Sequence, residues 1–267
     1  SIPGSTTMNS PDSSPPGRGR RWRQIGPATD NLGPMGNMER LDLRAGPIDA
    51  YIARPAGVPP WAGVLVLHEA FGLNDDIRRI TDRFAGHGYL AVASDLIDGG
   101  RIRCLIQAFR DLKAGDGPVA DKARESLAWL ARHPDVLPGQ VGAAGFCMGG
   151  SFALLLGSEG TARVISDSYG RVGSETALQL QCPVVASYGS RDVATRSHRR
   201  RLAAALEEAG IPHDLKVYPG VGHSFQNRPE GHRLVTWLGR PLMAVGYDEE
   251  ASEDAWRRIL TFFGEYL

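Results

Sequence analysis

The chain has 267 residues, and its 30 lysines and arginines balance 30 aspartates and glutamates, so the formal net charge is zero. This balance argues against a nucleic-acid partner, which needs a basic surplus, and against binding to a charged membrane surface. No apolar run approaches the ~18 residues of a membrane span. The length suits one large α/β domain with a sizeable core.

The cysteines are Cys104, Cys147 and Cys182. An odd, sparse set is not typical of a disulfide framework, and no pair has the spacing of metal ligands. We therefore expect a cytoplasmic protein without a metal site. Cys104 and Cys182 are predicted to pack as small apolar side chains.

Two regions differ sharply in composition. Residues 1–36 are rich in Pro, Gly, Ser and Arg and have no apolar periodicity, which predicts a disordered tail without the hydrophobic centre of a secretory signal. Residues 37–267 are predicted to form one domain that opens with an antiparallel hairpin over 39–53.

Apolar runs alternate with amphipathic stretches through the rest of the chain, which predicts a mostly parallel sheet covered by helices on both faces. The strands are predicted at 62–68, 89–94, 139–144, 162–167, 183–189 and 214–218. The helices are predicted at 74–87, 102–114, 118–132, from 151, 197–209 and 250–266. In such a sheet a ligand lies beyond the carboxyl ends of the strands. Glu69, Cys147, Asp192 and His223 each follow a predicted strand, so one site can collect all four.

The segment Gly145–Gly150, GFCMGG, joins a predicted strand to a predicted helix with Cys147 at the turn. It has the form of a G-x-S-x-G nucleophile elbow with Cys in place of Ser. Side chains at Gly145 and Gly149 are expected to clash where strand and helix cross. The positive end of the following helix favours a thiolate. By itself the segment leaves a second interpretation open, because a lone Cys in an apolar run is often inert.

The chain order Cys147, Asp192, His223 is that of nucleophile, acid and histidine in α/β-hydrolases. His223 would take the thiol proton, Asp192 would orient the imidazole, and Cys147 would form a thioester that water hydrolyses. Asp95 and Asp167 also follow strands and are rival acids. The backbone N–H groups of Met148 and Ala70 are the predicted oxyanion donors.

At this point the sequence resembles the dienelactone hydrolase (carboxymethylenebutenolidase) family, over roughly residues 38–266. The matching segments are His68–Gly72, Ser94–Leu96, Gly145–Gly150, Tyr188–Asp192 and Gly222–Phe225. The resemblance implies an α/β-hydrolase fold and hydrolysis of a small activated lactone or ester, dienelactone-like with a maleylacetate-like product, without a cofactor. It also implies that Glu69 lies near the resting thiol and accepts its proton when substrate arrives.

The chain departs from the family where the substrate carboxylate is held. Ring-degrading members use two arginines, and the equivalent positions fall near Gly99 and Asn227. The nearby candidates for contact with a carboxylate-bearing substrate are Arg101, Arg103 and Arg228, and Tyr169 and Phe225 are further candidates for substrate binding. Two alternatives remain: a general carboxylesterase or thioesterase, and a thiol redox sensor or binding protein on a hydrolase scaffold.

Overall fold

A computed structural model describes residues 36–98, 102–171, 178–228 and 244–267. The strands are β1 (Gly36–Leu43), β2 (Gly46–Ala53), β3 (Trp61–Leu67), β4 (Tyr89–Ser94), β5 (Val136–Phe146), β6 (Ile165–Ser168), β7 (Val184–Gly189) and β8 (His213–Tyr218). The helices are α1 (Asp75–Gly86), α2 (Ile102–Ala114), α3 (Pro118–Ala131), α4 (Met148–Ser158), α5 (Arg196–Glu208) and α6 (Glu249–Tyr266), and a 3₁₀ turn over Val193–Thr195 precedes α5.

The described strands form one sheet in the order β1-β2-β4-β3-β5-β6-β7-β8. The hairpin β1–β2 and the pair β2–β4 are antiparallel, and every other pair is parallel. All residues of β4 and β7 are buried, although neighbouring side chains point to opposite faces. The sheet is therefore covered on both sides, as the continuous apolar runs predicted.

Local sequence explains where the first helix begins. The side chain of Asn74 accepts a hydrogen bond from the N–H of Ile77, which caps α1. Ile77, Ile80 and Phe84 lie on its buried face, as the spacing predicted. The cap fixes the start of α1 a few residues after the end of β3, and Glu69 lies in the loop between them.

Several predicted boundaries were wrong by a few residues. The strand predicted at 162–167 is β6 over Ile165–Ser168, although the backbones of Arg163 and Val164 already hydrogen-bond to β5 at 2.9 and 3.1 Å. Gly36, assigned to the tail, begins β1. The rest of that tail lies outside the described residues, so its predicted disorder and the domain boundary stay predictions. No helix among the described ranges is long and apolar enough to cross a membrane.

Candidate active site

Cys147 lies between the end of β5 and the start of α4. Its backbone has φ 54° and ψ −114°, a region that residues with a side chain rarely adopt. The side chain is half-buried. This is the sharp strand-to-helix turn that the sequence predicted, and it holds the sulfur at the carboxyl edge of the sheet.

Two glycines make this turn possible. A Cβ added to Gly145 would lie 2.1 Å from the carbonyl oxygen of Gly149. A Cβ added to Gly149 would lie 2.0 Å from the carbonyl oxygen of Leu67 and 2.8 Å from that of His68. The expected exclusion of side chains here is confirmed. The same contacts show that the start of α4 lies directly against the loop after β3, the loop that contains Ala70.

His223 and Asp192 form a buried pair beside this turn. The Nδ1 atom of His223 lies 2.6 Å from Oδ2 of Asp192, and the two side chains are 6% and 0% exposed. Asp192 also accepts hydrogen bonds from the N–H of Ala194 (3.1 Å) and the hydroxyl of Thr195 (3.0 Å). A carboxylate only accepts, so Nδ1 of His223 carries a proton and Nε2 is left for chemistry.

The electrostatic partner of His223 on its other side is Cys147. Burial alone would lower the pKa of His223, but the charge of Cys147 and hydrogen bonding to Asp192 and Cys147 outweigh burial and raise that pKa. Nε2 is buried, and its contact with Cys147 falls outside ordinary hydrogen-bond geometry among the described residues. The sulfur and Nε2 are thus neighbours that are not yet aligned, as is common before a substrate binds. A negative charge on Cys147 would therefore favour the protonated ring of His223.

Neither rival acid takes the place of Asp192. Asp167 accepts hydrogen bonds from the N–H of Gly170 at 2.8 Å and from the hydroxyl of Tyr188. Burial raises its pKa to about 6 against these hydrogen bonds. Asp95 lies 3.8 Å from Nε2 of His68. The carboxylate that the structure pairs with His223 is therefore the one that chain order favoured.

Glu69 is also buried in the site, with 7% of its surface exposed. Burial, and secondly the charge of Asp76, raise its pKa to about 7, while His223 and a hydrogen bond with Asn74 act in the opposite direction. A carboxyl group with this pKa can hold or release a proton near neutral pH. Because the charge of His223 affects the pKa of Glu69, the two groups lie close enough to share one site.

A hydrogen-bonded chain that the sequence did not reveal borders these groups. Asn227 donates to Oδ2 of Asp76 at 2.9 Å and accepts from the hydroxyl of Tyr169. Arg79 donates to Oδ1 of Asp76 at 2.7 Å. The ring centroids of Tyr169 and His223 are 5.0 Å apart. The one available signal was Asn227, which stands where the resemblance called for an arginine.

The predicted substrate-binding residues have different surroundings. Tyr169, at φ 47°, is fully buried, and its ring centroid lies 5.5 Å from that of the equally buried Phe225. The Arg228 guanidinium lies 5.3 Å from the ring centroid of Tyr247, and Arg103 is exposed on α2. Arg101 lies outside the described residues. Tyr169 is thus brought to His223, and a role for the arginines and Phe225 stays a prediction.

Comparisons with known proteins identify the family and the fold. The model of the dienelactone hydrolase family matches residues 48–267. The "Putative carboxymethylenebutenolidase" of Methylorubrum extorquens is 27% identical over 263 residues, covering 90% of this chain and 84% of that protein. The crystal structure of a "Putative Dienelactone Hydrolase" from Klebsiella pneumoniae matches with a TM-score of 0.69 and 25% identity, covering 86% and 98% of the two chains.

A further similar structure is a dienelactone hydrolase-like promiscuous phosphotriesterase from metagenomic libraries, with a TM-score of 0.73 and 23% identity, covering 87% of this chain and 99% of that one. At this identity the likeness shows the fold alone. The family model spans most of the chain, including the turn at Cys147, Asp192 and His223. The chain therefore belongs to the dienelactone hydrolase family and is a hydrolase with the α/β-hydrolase fold.

Proposed function

We propose that this protein hydrolyses a small activated lactone or ester through Cys147, His223 and Asp192. The observation that carries the proposal is a cysteine in a strained turn beside an imidazole whose far nitrogen lies 2.6 Å from a buried carboxylate. A thiol in that setting loses its proton to the imidazole and becomes the stronger nucleophile, the thiolate.

The reaction then follows in two halves. The Cys147 sulfur attacks the substrate carbonyl, and the negative oxygen that forms is held by the backbone N–H groups of Met148 and Ala70. The C–O bond breaks, the alcohol takes a proton from Nε2 of His223, and a thioester remains. Water, activated by the same imidazole, hydrolyses the thioester, releases the acid and restores the thiol. In a lactone, the alcohol and the acid stay in one molecule.

Glu69 is proposed to accept the proton of the resting thiol when substrate arrives and to pass it to the imidazole of His223, which later protonates the alcohol. Its burial and its raised pKa of about 7 support this role, since such a carboxyl group is a workable base. A thiol that ionises only when substrate arrives is also protected from oxidation.

The charge of the substrate distinguishes two candidate functions. Family resemblance favours a carboxylate-bearing substrate held by arginine, with Arg228 the nearest described candidate along the chain. A specific observation favours a second candidate, an esterase for uncharged substrates. Asn227 stands at one of the expected clamp positions and donates to the carboxylate of Asp76. An acidic group placed there would meet an amide bonded to a carboxylate, and the guanidinium of Arg79 already pairs with that same carboxylate.

The test is the loss of dienelactone absorbance and the release of product from para-nitrophenyl acetate, with the wild type and Cys147→Ala. We expect turnover by the wild type and none by the variant, and the faster substrate decides between the two candidates. Mass spectrometry of wild type mixed with ester should show an acyl adduct on Cys147. Equal turnover by both proteins refutes the nucleophile. An inactive wild type whose Cys147 is reversibly oxidised by peroxide points to the redox sensor instead.

A further inference from the structure

His68 is fully buried just beyond β3, and its two ring nitrogens have different partners. Nδ1 lies 2.6 Å from the carbonyl oxygen of Glu69, and Nε2 lies 3.0 Å from the backbone nitrogen of Leu96. The N–H of Leu96 can only donate, so Nε2 must accept. Nδ1 therefore carries the ring proton and donates it to the Glu69 carbonyl.

That carbonyl belongs to the peptide bond whose other end is the N–H of Ala70. A trans peptide is planar, and its C=O and N–H point in opposite directions. A hydrogen bond that fixes the carbonyl on one side therefore fixes the direction of the N–H on the other. Donation to the carbonyl also polarises the amide and makes its N–H a better donor. The N–H of Gly72 adds a second, longer bond to the same oxygen, at 3.2 Å.

The surroundings keep the ring neutral. Burial lowers the pKa of His68, against the smaller raising effects of the Glu69 carbonyl and of Asp95, the carboxylate that lies 3.8 Å from Nε2. A neutral ring keeps Nε2 as an acceptor, which a protonated ring would lose. A neutral ring thus keeps both hydrogen bonds, the one from the N–H of Leu96 to His68 and the one from His68 to the carbonyl of the Glu69–Ala70 peptide.

We propose that His68 is a positioning residue of the oxyanion hole: through its Nδ1–H it aims the N–H of Ala70 at the substrate oxygen. The inference rests on the proposed function, because Ala70 matters only if an oxyanion forms on attack by Cys147. The packing of Gly149 against the carbonyl oxygens of Leu67 and His68 supports it, since this loop lies against the turn that holds the nucleophile.

Two substitutions separate the two bonds of the ring. In His68→Gln the side-chain oxygen can still accept from Leu96, but nothing replaces the Nδ1 donor. In His68→Asn the amide nitrogen replaces that donor, and the acceptor for Leu96 is lost. A purely structural role predicts that activity follows the melting temperature in both. Positioning predicts that His68→Gln loses more activity than His68→Asn, whatever their order of stability.

The experiment measures para-nitrophenyl acetate turnover beside the rate of Cys147 alkylation by iodoacetamide, a reaction that forms no oxyanion. We expect His68→Gln to lower kcat about tenfold or more, part of the ~10²–10³ that a lost donor costs, with KM little changed. Alkylation should stay within about twofold of the wild type, because thiolate reactivity depends on the helix end and on His223. Inhibition by a trifluoromethyl ketone, whose adduct carries an oxyanion, should weaken in proportion to the loss of kcat.

Unchanged turnover in His68→Gln, or alkylation that falls in parallel with turnover, overturns the proposal. If glutamine prevents folding, His68→Asn takes its place, and there the ketone must bind about as tightly as to the wild type. Cys147→Ala is measured alongside. Ester turnover that survives this variant would refute the proposed function itself, a result that is distinct from a failure of the His68 variants.

Discussion

Glu69→Gln is expected to stabilise the protein at neutral and alkaline pH. Glu69 has a raised pKa of about 7 in the fold, against 4.5 in the unfolded chain. Between these values the native state binds more protons, so the free energy of unfolding falls as pH rises. Each pKa unit corresponds to ~1.4 kcal/mol, so this residue should cost about 2 to 3 kcal/mol between pH 5 and pH 8. Glutamine keeps the shape and does not ionise, so it removes that cost.

Urea unfolding of wild type and Glu69→Gln at both pH values measures this cost. The variant should gain stability relative to the wild type by about that amount on going from the lower to the higher pH. Glu207→Gln, at an exposed position on α5, is the control and should follow the wild type. Parallel pH profiles for wild type and Glu69→Gln would show that Glu69 does not hold a proton in the fold. Turnover should also fall, since the variant cannot accept a proton.

Two further substitutions test the site. Asp192→Asn should lower kcat by up to about 10⁴ with little change in KM, because an amide can no longer fix the protonated Nδ1 of His223. The control in the turnover assay is Asp167→Asn, which keeps the Asp192–His223 bond. A larger loss of turnover in this control would reassign the acid. Gly149→Ala should destabilise the fold by about 3 kcal/mol or more, because its Cβ would lie 2.0 Å from a backbone oxygen. Gly246→Ala, where an added Cβ meets nothing within 4 Å, is the control and should melt at the temperature of the wild type. Equal melting temperatures for both variants would contradict the close approach at the turn.

Much of the fold followed from local pattern. The sequence segments that form β4 and β7 are buried on both faces. They could therefore be predicted as buried strands without knowing which strands lie beside them. The start of β6 was harder to predict, because burial and backbone hydrogen bonds to β5 both begin before the strand does. Ala162 and Val164 are buried like the residues of β6 and still precede the strand.

Some residues of the candidate site could also be predicted from local sequence, and others could not. Cys147 and His223 lie in segments with strong local signals, namely a glycine-flanked turn and a Gly-His-Ser-Phe sequence after the last strand. Asp76 gave no such signal, since an acid in the first turn of a helix is ordinarily a solvated group that favours the helix dipole. Its partner Asn227 is 151 residues away in sequence, so only the folded chain shows that the two meet.

The aromatic packing of α6 links the turn at Cys147 to a distant part of the sequence. The ring of Trp256 lies 5.0 Å from that of Phe84 on α1 and 6.4 Å from that of Phe146, the neighbour of Cys147. Arg83 joins the same helix through Glu253 at 2.6 Å. The turn at Cys147 and the helix that carries Asp76 are thus both packed against the same helix, α6. Loss of this helix from its place would therefore uncover aromatic surface behind Cys147 and on α1 at the same time, so the packing of α6 and the geometry of the site are linked.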